Sequence, residues 1–240
     1  MSIQAKLKSF KLAGIAKSFE VRIQEAQESN MSYTEFLELI LEDEDLSRKD
    51  NKKKRLFTKA KLPTVKHISD FDFSFQPSIK KAEITQLGSC GYIQEGKNVV
   101  FIGNPGTGKS HLAIALGVKA LGLGYSVLFT TLWNMIDTLQ QSRADLSYKR
   151  KIEYYCKPDL LIIDELGYRA MSNTTVEDFF EIISKRHEQK STIITTNKKL
   201  ADWDKVLLDK TLSSALVDRI LQSCSVIEID GVSYRTKNSN

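Results

Sequence analysis

The stretch Gly103-Asn104-Pro105-Gly106-Thr107-Gly108-Lys109-Ser110 decides the fold predicted for this chain. It matches the pattern G-x-x-x-x-G-K-[ST] at every fixed position. The run before it, Asn98 to Ile102, is apolar and rich in β-branched residues, which is typical of a buried parallel strand. After the stretch, apolar residues recur at spacings that share one face of a helix, namely Leu112, Ala113, Leu116 and Ala120. The pattern predicts a strand, a glycine-rich turn and a helix start, in that order.

This predicted turn has the geometry of a phosphate-binding loop. Successive backbone N–H groups between a strand and a helix start can point inward at a phosphate. The glycines permit backbone angles and close approaches that a Cβ would prevent. Lys109 is expected to contact the β- and γ-phosphates of a nucleoside triphosphate, and the Ser110 hydroxyl is expected to bind Mg²⁺. The alternative is a glycine-rich turn that binds nothing.

The composition describes an ordinary globular chain of 240 residues, with 41% hydrophobic and 27% charged residues. That length predicts one large domain, or one large domain with a small appendage. The net charge of +5 permits a nucleic-acid partner without requiring one. Cys90, Cys156 and Cys224 are far apart in sequence, which favours reduced thiols over a metal site. The sequence shows no signal peptide and no apolar run of membrane-spanning length, so we expect a cytoplasmic protein without a membrane partner.

The first 65 residues predict a small all-helical domain, followed by a nucleotide-binding domain over residues 66–240. Apolar residues recur at helical spacing up to about residue 46, and Ser32 to Glu35 is a capping-box pattern before the apolar run Phe36 to Leu41. The apolar faces of these helices can close on each other or receive a partner protein. The aromatic residues of Phe71 to Phe75 are expected to pack the linker onto the second domain rather than to stack on bases.

A strongly basic segment, Arg48 to Lys61, holds eight basic residues against one acidic residue. Its charge of +7 exceeds that of the whole chain, so the basic character is local and favours a docking surface for the phosphates of double-stranded DNA. A solvated helix surface is the alternative. Lys149 and Arg150, beside Tyr148, form a second basic candidate, for which a plain exposed helix is equally consistent. The candidate DNA contacts are Lys52, Lys53, Lys54, Arg55, Lys149 and Arg150.

A second polar cluster follows the apolar run Leu160 to Ile163, where Asp164 and Glu165 lie at the end of a predicted strand. Asp164 suits the magnesium site, and Glu165 is then placed to orient a water molecule that attacks the γ-phosphate. Such a pair is common at strand ends. The phosphate loop earlier in the chain favours the interpretation that this pair belongs to a nucleotide site. Asn197 ends another β-branched strand, where its amide can contact the γ-phosphate or the water, or can simply be a turn residue.

The remaining segments alternate strands and helices across residues 97 to 230, which implies a parallel sheet covered on both faces. Further strands are predicted at Tyr125 to Thr130 and Val226 to Ile229, and a helix at Trp133 to Gln141. Thr174 to Glu177 resembles a capping box that opens a helix through Phe179 and Phe180, and another helix is predicted over Leu212 to Leu221.

The ordered set of motifs resembles the AAA+ ATPases, specifically the DnaA/DnaC/IstB branch. Gly108 to Ala113 is similar to the GK[ST]HLA signature of that branch, which adds His111 to the expected nucleotide-binding set. Lys11 to Ala16, Phe71 to Phe73 and Ser233 to Arg235 are similar to the IstB transposition helper proteins of bacterial insertion sequences. The resemblance implies an α/β AAA+ core with a parallel sheet between helices and little or no C-terminal lid.

The resemblance also implies roles for three single residues. Asn197 stands where the family has its sensor-1 residue, and Arg219 stands where it has an arginine finger that acts on ATP held by a neighbouring subunit. Arg235 matches a late arginine that contacts nucleotide as a sensor-2-like residue. For Arg219, a surface salt bridge is the structural alternative.

The function implied by the resemblance is that of an ATPase that forms a homo-oligomer on DNA and recruits or stimulates a transposase, with hydrolysis controlling assembly. A DnaC-like helicase loader, acting mainly as a protein–protein adaptor, is the alternative. A small-molecule kinase is a third reading, but the adjacent Asp164 and Glu165 and the finger candidate Arg219 favour water as the phosphoryl acceptor.

Overall fold

The structure is a computed structural model that describes residues 1–168, 171–203, 207 and 210–234. The chain forms two compact units, Met1–Arg55 and Leu56–Asn240. The first unit contains helix α1 (Ile3–Ser9), helix α2 (Ala13–Glu28) and most of helix α3 (Tyr33–Ala60). The predicted N-terminal helices are therefore present, and α3 continues through most of the basic segment. The domain boundary near residue 65 stays a prediction.

Two carboxylates of α3 hold the first unit together. Glu44 accepts hydrogen bonds from the N–H groups of Gly14 and Ile15, at 2.7 and 3.2 Å, and so caps the start of α2, whose own N-cap residue makes no side-chain cap. Asp43 receives two hydrogen bonds of 2.8 Å from the Arg22 guanidinium. Gly14 is required at this crossing, because a Cβ there would lie 2.6 Å from the Asp43 carbonyl oxygen.

The start of α3 is the capping box that the sequence predicts. The Ser32 N–H donates to Glu35 Oε2 at 2.8 Å, and the Glu35 N–H donates back to Ser32 Oγ at 3.3 Å. Two of the unsatisfied N–H groups of a helix start are thereby paired.

The second unit is built around a five-stranded sheet in the order β2-β3-β4-β1-β5, whose neighbouring strands are all parallel. The strands are β1 (Asn98–Gly103), β2 (Val127–Thr131), β3 (Leu160–Leu166), β4 (Ser191–Thr196) and β5 (Cys224–Ile229). The helices are α4 (Lys81–Leu87), α5 (Gly91–Gln94), α6 (Lys109–Gly122), α7 (Leu132–Ala144), α8 (Tyr148–Cys156), α9 (Asn173–Arg186) and α10 (Lys210–Leu221). Short 3₁₀ turns lie at Ile68–Asp70 and Leu200–Asp202.

Each face of this sheet is covered by its own apolar cluster, as strand alternation requires. Val99 and Phe101 of β1 pack on the side of α4, α5 and α6, together with Ala60 at the end of α3. Val100 and Ile102 pack on the opposite side, with the buried residues of α7, α8, α9 and α10. The prediction of a parallel sheet covered on both faces is confirmed.

Several local predictions differ from the structure. The capping box expected at Thr174 is wrong: α9 already begins at Asn173, its N-cap is Ser172, and Ser172 Oγ lies 2.9 Å from Thr175 Oγ1. Ser172 precedes the helix with extended backbone, so Thr174 lies within the first turn and cannot cap it. Helices α4 and α5, between the linker and β1, were not predicted. Within the described part of the chain, no helix combines the length and apolar character needed to cross a membrane.

Candidate nucleotide-binding site

The predicted motifs meet at the carboxyl edge of the sheet, where open α/β sheets place their ligands. The phosphate loop follows β1, the two carboxylates lie at the end of β3, and Asn197 follows β4. Strand β4 lies between β1 and β3 in the sheet. Residues that are distant in sequence therefore reach one site because three parallel strands end side by side.

The loop between β1 and α6 has the backbone that its glycines predict. Gly106 and Gly108 adopt φ values of 80° and 98°, a left-handed region that other residues rarely occupy. At Gly103 the need is for space, because a Cβ would lie 2.5 Å from the Ile229 carbonyl oxygen. The Asn104 carbonyl accepts hydrogen bonds of 2.8 Å from the Thr107 hydroxyl and from the Lys109 ammonium. The loop is thus closed on itself, and its residues fit a phosphate cradle.

The predicted magnesium ligands are in direct contact. Ser110 Oγ, in the first turn of α6, donates to Asp164 Oδ1 at 2.8 Å, and Asp164 is only 7% exposed. A hydroxyl and a carboxylate are oxygen ligands that suit Mg²⁺, which takes few protein ligands and completes its shell with phosphates and water. The donor set therefore fits a nucleotide-bound magnesium ion.

Glu165 adopts an unusual backbone conformation at the end of β3. Its φ is 65°, although it is not glycine. The pairing of β3 with β4 shifts at this point, because Ile163 pairs with Ile194 and Leu166 with Thr196. A bulge of this kind re-aims a side chain. The Glu165 side chain is exposed to solvent although its strand is otherwise buried.

Most of the predicted catalytic residues share one cavity of about 230 Å³. Glu165 and Asn197 line it together with residues of the phosphate loop. The described lining residues are Pro105, Gly106, Lys109, Ser110, Glu165, Leu166, Tyr168, Thr195, Thr196 and Asn197. The structure thus brings together Lys109, Ser110, Glu165 and Asn197, while their catalytic roles remain predictions.

A larger cavity of about 540 Å³ is also lined by residues of the loop. Linker residues also line this cavity, and the Phe71 ring covers Gly108 so closely that a Cβ on Gly108 would lie 2.5 Å from it. His111 Nε2 lies 3.1 Å from the His67 carbonyl oxygen, and the Tyr234 N–H donates to the Gly106 carbonyl at 2.8 Å. Phe71 also packs against the core of the second unit, in agreement with the predicted role of the linker aromatics. The contact of Tyr234 with the loop was not predicted, although Tyr234 lies within the stretch Ser233 to Arg235 that resembles the IstB proteins.

Of the two arginines predicted to contact nucleotide, Arg219 lies within the described residues. Arg219 donates to the Ala215 carbonyl at 3.2 Å, and its guanidinium lies 4.7 Å from the centre of the Phe180 ring. It is not among the described residues that line either cavity. Arg235 lies outside the described residues.

The candidate DNA contacts lie on helix surfaces. Lys52 to Arg55 are exposed on α3, although Lys54 pairs with Asp50 at 3.0 Å. A cleft of about 270 Å³ in the first unit gathers four basic side chains, Lys11, Arg48, Lys52 and Arg55. Lys149 and Arg150 are exposed in the first turn of α8.

Comparison with known proteins places the chain in a family. Residues 5–240 match the family of IstB-like ATP binding proteins. The chain belongs to this family. It is 34% identical over 235 residues to a Pseudomonas aeruginosa protein named for ATP binding and for insertion sequence IS21, covering 98% of this chain and 89% of that protein. It is 33% identical over 223 residues to a similarly named protein of insertion sequence IS5376 from Geobacillus stearothermophilus, covering 93% and 89% of the two chains.

The fold of this IstB-like protein is similar to that of a DnaC helicase loader. The two structures superpose with a TM-score of 0.57 over 73% of this chain and 99% of the other, at 24% sequence identity. At that identity the likeness shows the fold alone, which is the AAA+ fold of the DnaA and DnaC domains. The family and the fold class predicted from the sequence are both confirmed.

Proposed function

We propose that this protein binds ATP with Mg²⁺, hydrolyses it, and uses the nucleotide state to control its assembly on double-stranded DNA, where it engages a transposase. The observation that carries the proposal is the meeting of Lys109, Ser110, Asp164, Glu165 and Asn197 at one edge of the sheet. The names of the relatives, which pair ATP binding with insertion sequences, support the transposition part. A DNA partner implies the cytoplasm as the compartment.

Each residue of the site has a chemical task in this proposal. The backbone N–H groups of the loop and the Lys109 ammonium bind the phosphates, while Ser110 and Asp164 supply oxygen ligands for the metal. Bound Mg²⁺ would neutralise charge that develops on the phosphate oxygens. Glu165 holds the attacking water through its exposed carboxylate, and the Asn197 amide offers a second hydrogen-bonding group in the same cavity.

The position of Arg219 supports catalysis between subunits. Its guanidinium rests on Phe180 rather than in the phosphate cavity of its own chain. An arginine that stabilises the transition state accelerates phosphoryl transfer strongly. If Arg219 completes the site of a neighbouring copy, hydrolysis requires a homo-oligomer, and ATP turnover is coupled to assembly.

A Glu165→Gln variant tests the proposal. The amide keeps the size of the side chain but cannot act as a base, so we expect ATP turnover to fall by about 100-fold or more while ATP binding is retained. The variant should also stay assembled with ATP and bind duplex DNA longer than the wild-type protein. Phosphate release, sedimentation and duplex binding with ATP are the measurements.

Glu83→Gln is the matched control, because Glu83 is exposed on α4, away from the site. If Glu165→Gln and Glu83→Gln turn over ATP at the same rate, Glu165 does not activate the attacking water. Absence of ATP-dependent duplex binding in the assembled protein would contradict the DNA part of the proposal. Co-purification with a replicative helicase instead of a transposase would favour a helicase loader.

A further inference from the structure

The bulge at the end of β3 places two carboxylate residues opposite a single residue of β4. Between the pairs Ile163–Ile194 and Leu166–Thr196, strand β3 has Asp164 and Glu165, and β4 has only Thr195. Thr195 is 1% exposed, so its hydroxyl cannot rely on solvent for hydrogen bonds.

The Thr195 hydroxyl bonds to both of these residues. Its oxygen accepts a hydrogen bond from the Glu165 N–H at 3.0 Å. Its proton is donated to Asp164 Oδ1, the same oxygen that Ser110 contacts from the phosphate loop. A hydroxyl has one proton to donate, and here that proton goes to the carboxylate expected to hold the metal.

These two hydrogen bonds restrain the backbone of Glu165 and the carboxylate of Asp164, which the proposed chemistry needs in fixed positions. Glu165 has a left-handed backbone, which is unfavourable for a residue with a Cβ and persists only when its surroundings hold it. The hydrogen bond from its N–H to Thr195 is such a restraint, since it fixes the peptide that leads into Glu165. Thr195 also lies two residues before Asn197 on the same chain segment, so one short segment contacts the metal-site carboxylate and lines the cavity beside Glu165.

We infer that Thr195 is a positioning residue for the hydrolysis proposed above: its hydroxyl sets the direction of Glu165 and the orientation of Asp164, and it links both to the segment that ends in Asn197. The inference rests on the proposed function, because it assigns a purpose to the direction in which Glu165 points. A purely structural role would require only that the buried hydroxyl be satisfied.

The test compares Thr195→Val, which keeps the shape of the side chain but removes the hydroxyl, with Thr195→Ser, which keeps the hydroxyl. Thr130→Val is the matched control, because Thr130 is a buried threonine of β2 that lines neither cavity beside the phosphate loop. Its hydroxyl bonds to the neighbouring Thr131 carbonyl and to Tyr155. Three quantities are measured in the full-length protein: ATP turnover, affinity for a non-hydrolysable ATP analogue, and hydrogen exchange of the Glu165 amide in ¹⁵N-glutamate-labelled protein without nucleotide.

For Thr195→Val we expect the turnover number to fall by about tenfold or more and the Glu165 amide to exchange about tenfold faster, the ratio expected from the loss of one hydrogen bond. Analogue affinity should stay within about threefold of the wild-type value, since the phosphate loop is unchanged. Thr195→Ser and Thr130→Val should stay within about threefold of the wild type in all three measurements. If the valine variant does not fold, Thr195→Ala is measured in its place.

Unchanged turnover in Thr195→Val overturns the inference, whether or not the Glu165 amide exchanges faster. Equal losses in Thr195→Ser and Thr195→Val overturn it as well, because the hydroxyl would then not be the group that matters. A wild-type protein that hydrolyses no ATP contradicts the proposed function instead. In that case the exchange measurement still tests the inference. If the Glu165 amide exchanges at the same rate in Thr195→Val as in the wild type, Thr195 does not restrain Glu165.

Discussion

At the scale of single residues, the phosphate loop shows two different uses of glycine. Gly103 is needed for space beside the Ile229 carbonyl, whereas Gly106 and Gly108 also have left-handed backbone. Gly108 combines both demands, because its Cα faces the Phe71 ring of the linker. The loop is therefore shaped by a residue well outside its own motif.

Gly108→Ala should impair both folding and nucleotide binding. Its φ of 98° is unfavourable for alanine, and the added Cβ would lie 2.5 Å from Phe71 Cε2, so the ring or the loop must move. We expect the free energy of unfolding to fall by about 2–4 kcal/mol, from backbone strain and overpacking together. Affinity for an ATP analogue should fall as well, measured by calorimetry beside urea unfolding.

Gly124→Ala is the matched control for this prediction. Gly124 has a similar φ of 89°, but a Cβ there would meet nothing within 4 Å. In Gly124→Ala the free energy of unfolding should fall only by the cost of backbone strain, about 1–2 kcal/mol, and the nucleotide affinity should be unchanged. Equal losses in the two variants would show that the contact with Phe71 is unimportant.

At the scale of elements, the two halves of α3 differ in character. Its first half stabilises the first unit, through Glu44 at the start of α2 and Asp43 on Arg22. Burial opposes ionisation of Glu44, but hydrogen bonds from Arg48 and from the N–H groups of Ile15 and Gly14 outweigh it and lower its pKa. The hydrogen bond from Arg22 lowers the pKa of Asp43 from 3.8 to about 2.

These shifts predict acid sensitivity of the first unit. Because both carboxyl groups have a lower pKa in the folded protein, the unfolded chain binds more protons in acid, and stability falls as the pH drops from about 4 towards 2. Above about pH 5 the contribution of Asp43 is fully present and independent of pH. Asp43→Asn should lower thermal stability at pH 7 and weaken this pH dependence, as followed by circular dichroism.

Asp45→Asn is the control, because the ion pair of Asp45 with Lys49 is more than half exposed on both sides and such pairs contribute little. A pH profile of Asp43→Asn that matches the wild-type profile would show that the Arg22 contact does not stabilise the folded unit.

The basic half of α3 predicts salt-dependent DNA binding. Lys52 and Arg55 line the basic cleft of the first unit, so Lys52→Ala/Arg55→Ala should weaken duplex binding and reduce the slope of log affinity against log salt by about 2. Lys6→Ala/Lys8→Ala removes the same charge from α1 and should change the slope less. Equal changes in the two double variants, measured by fluorescence anisotropy, would show a general charge effect instead of a local surface.

At the scale of the whole molecule, the candidate site lies where three strands end, and Arg219 lies elsewhere in the same unit, on Phe180. The proposal that Arg219 acts on a neighbouring subunit predicts complementation. Lys109→Ala should lack phosphate binding and Arg219→Ala should lack the finger, so each alone should be inactive. Mixed oligomers contain some interfaces with an intact loop and an intact arginine, and should recover part of the wild-type ATP turnover.

Each variant mixed with itself is the control for this experiment. Sedimentation shows whether the mixed variants are assembled. If assembled mixtures recover no ATP turnover, Arg219 serves only the surface contact with Phe180 and not catalysis in a neighbouring subunit.

The sequence alone determined the parts of this protein that depend on neighbouring residues. The strand, glycine turn and helix start around Lys109 follow from local backbone preferences, and the apolar run before Asp164 marks the end of a buried strand. The fold class was therefore predictable. So were the residues expected to bind Mg²⁺ and to orient the attacking water. The polar end of a β-branched strand indicated Asn197, and the family resemblance added its sensor-1 role and the finger role of Arg219. The true start of α9 was missed, because Ser172 and Thr174 are both able to cap a helix and only the backbone path chooses between them.

Only the tertiary structure decided how these parts meet. The strand order that sets β4 between β1 and β3 results from long-range packing, which no local pattern encodes. The left-handed Glu165 follows from a bulge against β4, since its side chain does not favour that conformation by itself. Thr195 reads in sequence as one more β-branched strand residue. Its contacts with Asp164 and Glu165 exist because two strands that are distant in sequence lie side by side in the folded sheet.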